Sequence, residues 1–130
     1  MKIISTQLKN KLATAIQNQK KNNFETAEKQ FKQVLNQQPN NFNALYYLGT
    51  LYAQTRKLNL AKNLLLKANE INPNVPALQM NLGNIHLENG LNDEAINYYE
   101  NAIKTQPTLV QAHFNLGVIN AQKGNREDAK

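Results

Sequence analysis

The chain has no cysteine and no tryptophan, and its nine aromatic residues are five tyrosines and four phenylalanines. Without cysteine there are no disulfides and no thiolate metal sites, and a reducing compartment such as the cytoplasm is compatible with the sequence. Histidine occurs twice, at His86 and His113, which leaves little material for an imidazole-based metal or catalytic cluster. No apolar run approaches the ~18 residues a membrane-spanning helix needs. Met1-Lys2-Ile3-Ile4-Ser5 starts in the manner of a signal peptide, but no apolar stretch follows. His-Glu-x-x-His, a glycine-rich phosphate loop and an activated nucleophile setting are all missing. The expectation is a non-enzyme without cofactor or metal.

Acidic residues are scarce in the first half. Residues 1–67 carry 11 basic and 2 acidic side chains, a net +9, whereas residues 68–130 carry 4 and 7, a net −3. Lys9, Lys11, Lys20, Lys21, Lys29 and Lys32 could face phosphates, but no aromatic platform interleaves with them and arginine is rare. That argues against nucleic acid and for a solvated lysine-rich helical surface. Asn and Gln together number 34 in 130 residues. Such richness can accompany disorder. Here the apolar positions hold a strict register through it, so the amides read as surface residues of ordered helices.

That register is what the chain does have. Shifted by 34 residues, the sequence meets itself. Leu48-Gly49, Leu82-Gly83 and Leu116-Gly117 coincide, as do Ala27, Ala61, Ala95 and Ala129. Phe31, Leu65 and Tyr99 fall together, Ala68 meets Ala102, and Pro39, Pro73 and Pro107 close each period. A fixed period of this size marks a repeat array, in which each unit packs on its neighbours rather than round one central core. Each period reads as two helices. Apolar residues recur at helical spacing, Asn22-Asn23, Thr55–Lys57 and Gly90 make the inner turns, and proline forces the preceding residue out of the α region at the outer ones. A lead-in covers residues 1–5, with Ser5 or Thr6 capping the first helix. Asp93-Glu94 and Glu127-Asp128 sit at helix starts, where the dipole favours them. A fourth pair turns at Gly124-Asn125 and starts its second helix at Arg126.

The pattern resembles the tetratricopeptide repeat, a helix–turn–helix unit of about 34 residues marked by Leu-Gly, Tyr, Ala, Phe, Ala and Pro. The third period, Pro76 to Leu109, supplies Leu82, Gly83, Ala95, Tyr99, Ala102 and Pro107, and departs at Gln79 and His86. His86 is expected to be a packed core histidine. The resemblance implies an all-α fold, a right-handed α-solenoid of antiparallel helix pairs. A lead-in (residues 1–7) would precede repeats at 8–41, 42–75, 76–109 and a partial 110–130. Its unpaired last helix implies a piece of a longer protein or an end covered by another chain. Mid-helix Gly49, Gly83 and Gly117 are expected where paired helices cross closely, with Ala61 and Ala95 serving the same crossing.

Such domains bind other proteins, and the resemblance implies a concave groove lined by first helices. In the first pair it comprises Lys9, Leu12, Ala13 and Ile16. Asn43, Tyr46, Tyr47 and Thr50 follow from the second, Ala77, Met80, Asn81 and Asn84 from the third, and Gln111, Phe114 and Asn115 from the fourth. The family's carboxylate clamp for chaperone tails uses basic groove residues. The matching slots here (Leu12, Ile16, Tyr47, Ala77, Asn81, or one repeat later Tyr46, Thr50, Asn81, Gln111, Asn115) hold none. Asn81 and Asn115 share one slot and resemble the asparagine ladder of O-linked N-acetylglucosamine transferases, whose amides can pair with any extended peptide backbone. The resemblance therefore implies a cytoplasmic adaptor or scaffold domain that binds a protein or peptide. Self-association through the uncapped end is an alternative, as is substrate recognition within a larger glycosyltransferase-like enzyme.

Overall fold

The computed structural model describes the backbone of residues 2–128 and the side chains of residues 5–124. All the regular structure there is helical. The helices are α1 (Lys2–Lys20), α2 (Phe24–Gln37), α3 (Phe42–Gln54), α4 (Leu58–Ile71), α5 (Pro76–Glu88), α6 (Asn92–Thr105) and α7 (Val110–Asp128). They form two compact units, the first ending at Ile71 and the second starting at Asn72. In the first, α1 pairs with α2 and α3 with α4, and α3 also packs on α2 and α1. In the second, α5 pairs with α6, and α7 packs on α6.

Local chemistry sets the boundaries. The residues before Pro39 and Pro107, Gln38 (φ −132°, ψ 83°) and Gln106 (φ −134°, ψ 86°), have left the α region as that ring demands. Asn41 caps α3 by accepting the Ala44 backbone N–H at 2.9 Å. Pro76 opens α5 at a position where its missing N–H costs nothing. Each inner turn passes through one left-handed residue: Asn22 (φ 65°), Arg56 (φ 65°) and Gly90 (φ 77°), again 34 apart. Only the third is the residue type for which that conformation is free of strain.

Within each pair, the core is a small residue facing a large one. A Cβ added to Gly49 would lie 2.8 Å from the Leu65 side chain, and one on Gly83 would lie 2.6 Å from the Tyr99 ring. Leu65, Tyr99, Phe31, Ala61 and Ala95 are fully buried. The mid-helix glycines therefore admit close helix crossings, as the repeat pattern implies. Gly117 differs: a Cβ there would meet nothing within 4 Å. No described residue covers that face of α7, where Val110 and Phe114 are also exposed.

Two boundaries differ from the sequence reading. The region read as a lead-in, residues 2–7, is already helical, and Ser5 and Thr6 lie inside α1 rather than capping it. No proline or glycine interrupts that stretch, and each added helical residue gains a hydrogen bond once a nucleus exists. The turn expected at Gly124-Asn125 is absent, and α7 continues to Asp128. Once α7 has a nucleus, each further helical residue gains a hydrogen bond, so extending it costs little. Glu127-Asp128 therefore lie at a helix end rather than a start. Met1, Ala129 and Lys130 fall outside the described residues.

One polar contact stands out in the first unit. The Tyr52 hydroxyl donates to Glu28 Oε2 at 2.5 Å, tying α3 to α2. That bond holds the Glu28 carboxyl below its usual range, while burial first and the bonded carboxylate second push the Tyr52 phenol upward.

Three outcomes follow from this packing. Ala95→Leu should cost about 1–3 kcal/mol and lower the melting temperature clearly, because the crossing has no spare volume. Gly83→Ala should destabilise by driving a methyl group into a buried ring. Gly117→Ala, with open space and better helix propensity, should stabilise by about 0.5–1 kcal/mol. Calorimetry on the three variants checks the signs. Glu28 contributes stability that is complete above about pH 5 and fades as pH falls through its lowered folded value. Tyr52 contributes below about pH 10 and fades as pH rises, because the unfolded phenol ionises first. Tyr52→Phe should therefore cost about 1 kcal/mol at neutral pH, given the partial exposure of Glu28, and flatten both limbs of a urea-melt pH profile.

Candidate functional site

In the first unit, α1 and α3 lie side by side and form a small cleft of about 140 Å³. Ile16, Gln19 and Lys20 line it from α1, and Tyr46, Tyr47, Thr50 and Gln54 from α3. The tyrosines are held by aromatic neighbours. Tyr46 stacks on Phe42, one turn earlier, at 6.0 Å, and Tyr47 stacks on Phe31 of α2 at 6.4 Å. The two rings meet edge to face at 5.2 Å, an arrangement favoured by their quadrupoles. Burial, with Tyr47 alongside, pushes the Tyr46 phenol upward. Thr50 donates its hydroxyl back to the Tyr46 carbonyl at 2.8 Å.

Gln19 is the unusual member. It is only 7% exposed, and its Nε2 donates to Gln54 Oε1 at 3.0 Å. Its own Oε1 is buried without a hydrogen-bond partner. A buried acceptor left unpaired costs about 1–3 kcal/mol, so a donor arriving there is rewarded. Of the groove residues expected from the first pair, Ile16 and Leu12 are half-buried, whereas Lys9 and Ala13 are exposed outside the cleft. Asn43 is exposed and lies outside it too. Gln19, Lys20 and Gln54 were missed. They continue the helical stripes of Ile16 and Thr50 by one further turn, and that spacing is the signal that identifies them.

In the second unit, a chain of side-chain hydrogen bonds joins three helices. Gln111 Nε2 donates to Asn115 Oδ1 at 3.0 Å, and Asn115 Nδ2 donates to Asn84 Oδ1 at 3.2 Å. The same Asn84 oxygen accepts the Tyr99 hydroxyl at 2.6 Å. Asn115 is thus linked to Asn84 rather than to Asn81, its equivalent by repeat. A stagger of about one helical turn between α5 and α7 places residue 84 opposite residue 115. Asn81 remains half-buried on α5, and Ala77 is exposed. Met80 lies in the core with Tyr99 and Ala102 and is 8% exposed, so it offers a partner almost no surface. Phe114 points the other way, at 63% exposed.

Each histidine ring meets a backbone carbonyl. His86 is 8% exposed, its Nδ1–H donates to the Leu82 carbonyl at 2.7 Å, and its ring lies 5.0 Å from that of Tyr98. His113 Nε2 sits 2.8 Å from the Pro107 carbonyl. Among the described residues, no three His, Cys, Asp or Glu side chains are grouped to hold a metal ion, and no helix is long and apolar enough to cross a membrane.

Known proteins resemble both units. A TPR repeat-containing protein of Pseudomonas aeruginosa is 34% identical over 98 residues, covering 74% of this chain and 17% of that protein. An O-GlcNAc transferase of Thermobaculum terrenum superposes with a TM-score of 0.80 at 28% identity, over 88% of this chain and 22% of that one. MamA from strain AMB-1 gives 0.81 at 27% identity, over 94% and 67%. The chain therefore spans about a sixth of the curated relative and under a quarter of the transferase. The family profile described as TPR repeat matches residues 83–124, and the one described as tetratricopeptide repeat matches residues 19–85, more than half of the chain. The chain belongs to the tetratricopeptide repeat family.

Proposed function

We propose that this chain is a non-catalytic binding module that holds a protein or peptide segment on the first helices of its pairs. The observation that carries the reading is the α1–α3 cleft, where an aromatic floor lies beside a buried, unpaired amide oxygen. An apolar side chain seated against Tyr46 and Tyr47 would let a nearby backbone N–H reach Gln19 Oε1. Tyrosine suits this work, giving a large rigid contact at low entropic cost. The second unit, by itself, would offer the amides of Asn81, Asn115 and Gln111 to an extended segment. Adaptor or scaffold work in the cytoplasm is one form of this role, and substrate recognition inside a longer enzyme is another, one structural relative being an O-GlcNAc transferase. All of these roles belong to the proposal.

Self-association is the second reading. Val110, Phe114 and Val118 are exposed along α7 at 78%, 63% and 39%, at helical spacing. Sedimentation at several concentrations separates the two readings.

Titration of a peptide selected from a display library tests the first. Tyr46→Ala should weaken binding about tenfold or more. Asn81→Ala with Asn115→Ala should weaken it without unfolding the chain, and unchanged affinity would remove the amides from the account. Asn84→Ala should behave differently, lowering stability by about 1–2 kcal/mol because the buried Tyr99 hydroxyl loses its acceptor.

A further inference from the structure

The second helices of the first unit leave a trough that shares no residue with the tyrosine cleft. Helices α2 and α4 both pack on α3, and between them lies an open space of about 540 Å³. Leu48 and Tyr52 of α3 form its floor, and Leu35 of α2 and Leu60 and Leu64 of α4 form its walls. Leu60 is 49% exposed, an apolar side chain placed at the rim rather than in the core.

One end of the trough is charged. Glu28 accepts the Tyr52 hydroxyl at 2.5 Å, and the Lys32 ammonium lies 3.6 Å from the same carboxylate oxygen. The Lys57 ammonium stands over the Tyr52 ring, 5.8 Å from its centre. Two ammonium groups thus stand near a single carboxylate, and the cluster keeps a net positive charge. The surrounding unit is of the same sign, with 11 basic and 3 acidic residues up to Ile71.

We infer that this trough is a second binding site, and that its occupant is an acidic amphipathic helix of a partner protein. Two helices flanking a floor helix leave a channel on the scale of a third helix, about 10 Å across. Such a helix can lay a leucine-sized residue against Leu60 and Leu64 and, one turn away, place a carboxylate between Lys32 and Lys57. An open trough with a half-exposed leucine suits a helix better than a small enclosed ligand, which would bury most of its surface in a closed pocket. The charge complementarity also speeds encounter with an acidic partner and makes it salt-sensitive.

The test is fluorescence anisotropy on the whole chain with two labelled helical peptides of about four turns. One carries leucines on one face flanked by glutamates, and the other replaces each glutamate with lysine. The glutamate peptide should bind and the lysine peptide should not. Leu60→Asp and Lys57→Glu, both at exposed positions, should each weaken binding about tenfold, and added salt should weaken it further. Leu60→Gln repeats the apolar test should Leu60→Asp disturb the circular dichroism spectrum. Tyr46→Ala should leave this binding unchanged, so the site stands or falls separately from the tyrosine cleft. Equal binding of both peptides, or insensitivity to Leu60 and Lys57, would overturn the proposal. So would binding of phosphatidylglycerol vesicles, in place of the glutamate peptide, that Lys57→Glu abolishes.

Discussion

The close approach of two helices at one small residue per pair is the constraint on which the other features depend. At Gly49 the facing side chain is Leu65, and at Gly83 it is Tyr99. A mid-helix glycine sacrifices about 0.5–1 kcal/mol of helix propensity, and the buried ring or leucine opposite gives back more through burial. Once that contact is fixed, the two helices can turn only one way relative to each other. The polar stripes of α1, α3 and α5 are then left facing outward. The tyrosine cleft is a by-product of the same geometry, because Phe31, buried within the first pair, is also the surface on which Tyr47 stacks.

The inner corners show how firmly this geometry is imposed. Asparagine, arginine and glycine occupy the same left-handed corner at intervals of 34 residues. For arginine that conformation is strained, at a cost of order 1 kcal/mol. It persists because helices on both sides determine the corner. At Gly124, the equivalent position in α7, even a residue free to take the corner stays helical. Corner chemistry permits the turn, and tertiary packing enforces it.

Much of this was legible in the sequence because it is periodic. Leu-Gly, Ala and Pro at one spacing identify the helix pairs, and His86 reads correctly as a packed residue. What escaped is aperiodic. Met80 occupies a position that is part-exposed as Tyr46 and open as Phe114, yet in α5 it is core, packed with Tyr99 and Ala102. Asn81 and Asn115 share a slot by period, yet the amide that Asn115 touches is Asn84, because the stagger of neighbouring helices decides which side chains meet. Gln19 falls with Ala53, Leu87 and Ala121 in the other repeats, so the period carries no sign of it. The residues that build the stack recur, whereas Gln19, Tyr46 and Tyr47 of the cleft do not.

The oxygen of Asn84 joins two worlds, the buried Tyr99 ring and the surface amides of Asn115 and Gln111. The chain contains no tryptophan, so its ultraviolet emission comes from five tyrosines alone. Phenol emission depends on the acceptor its hydroxyl faces. A ligand that draws Asn115 away would change the bond that Asn84 shares, and with it the light from Tyr99. The fold thus carries an intrinsic optical reporter of occupancy on the second unit, with no label needed.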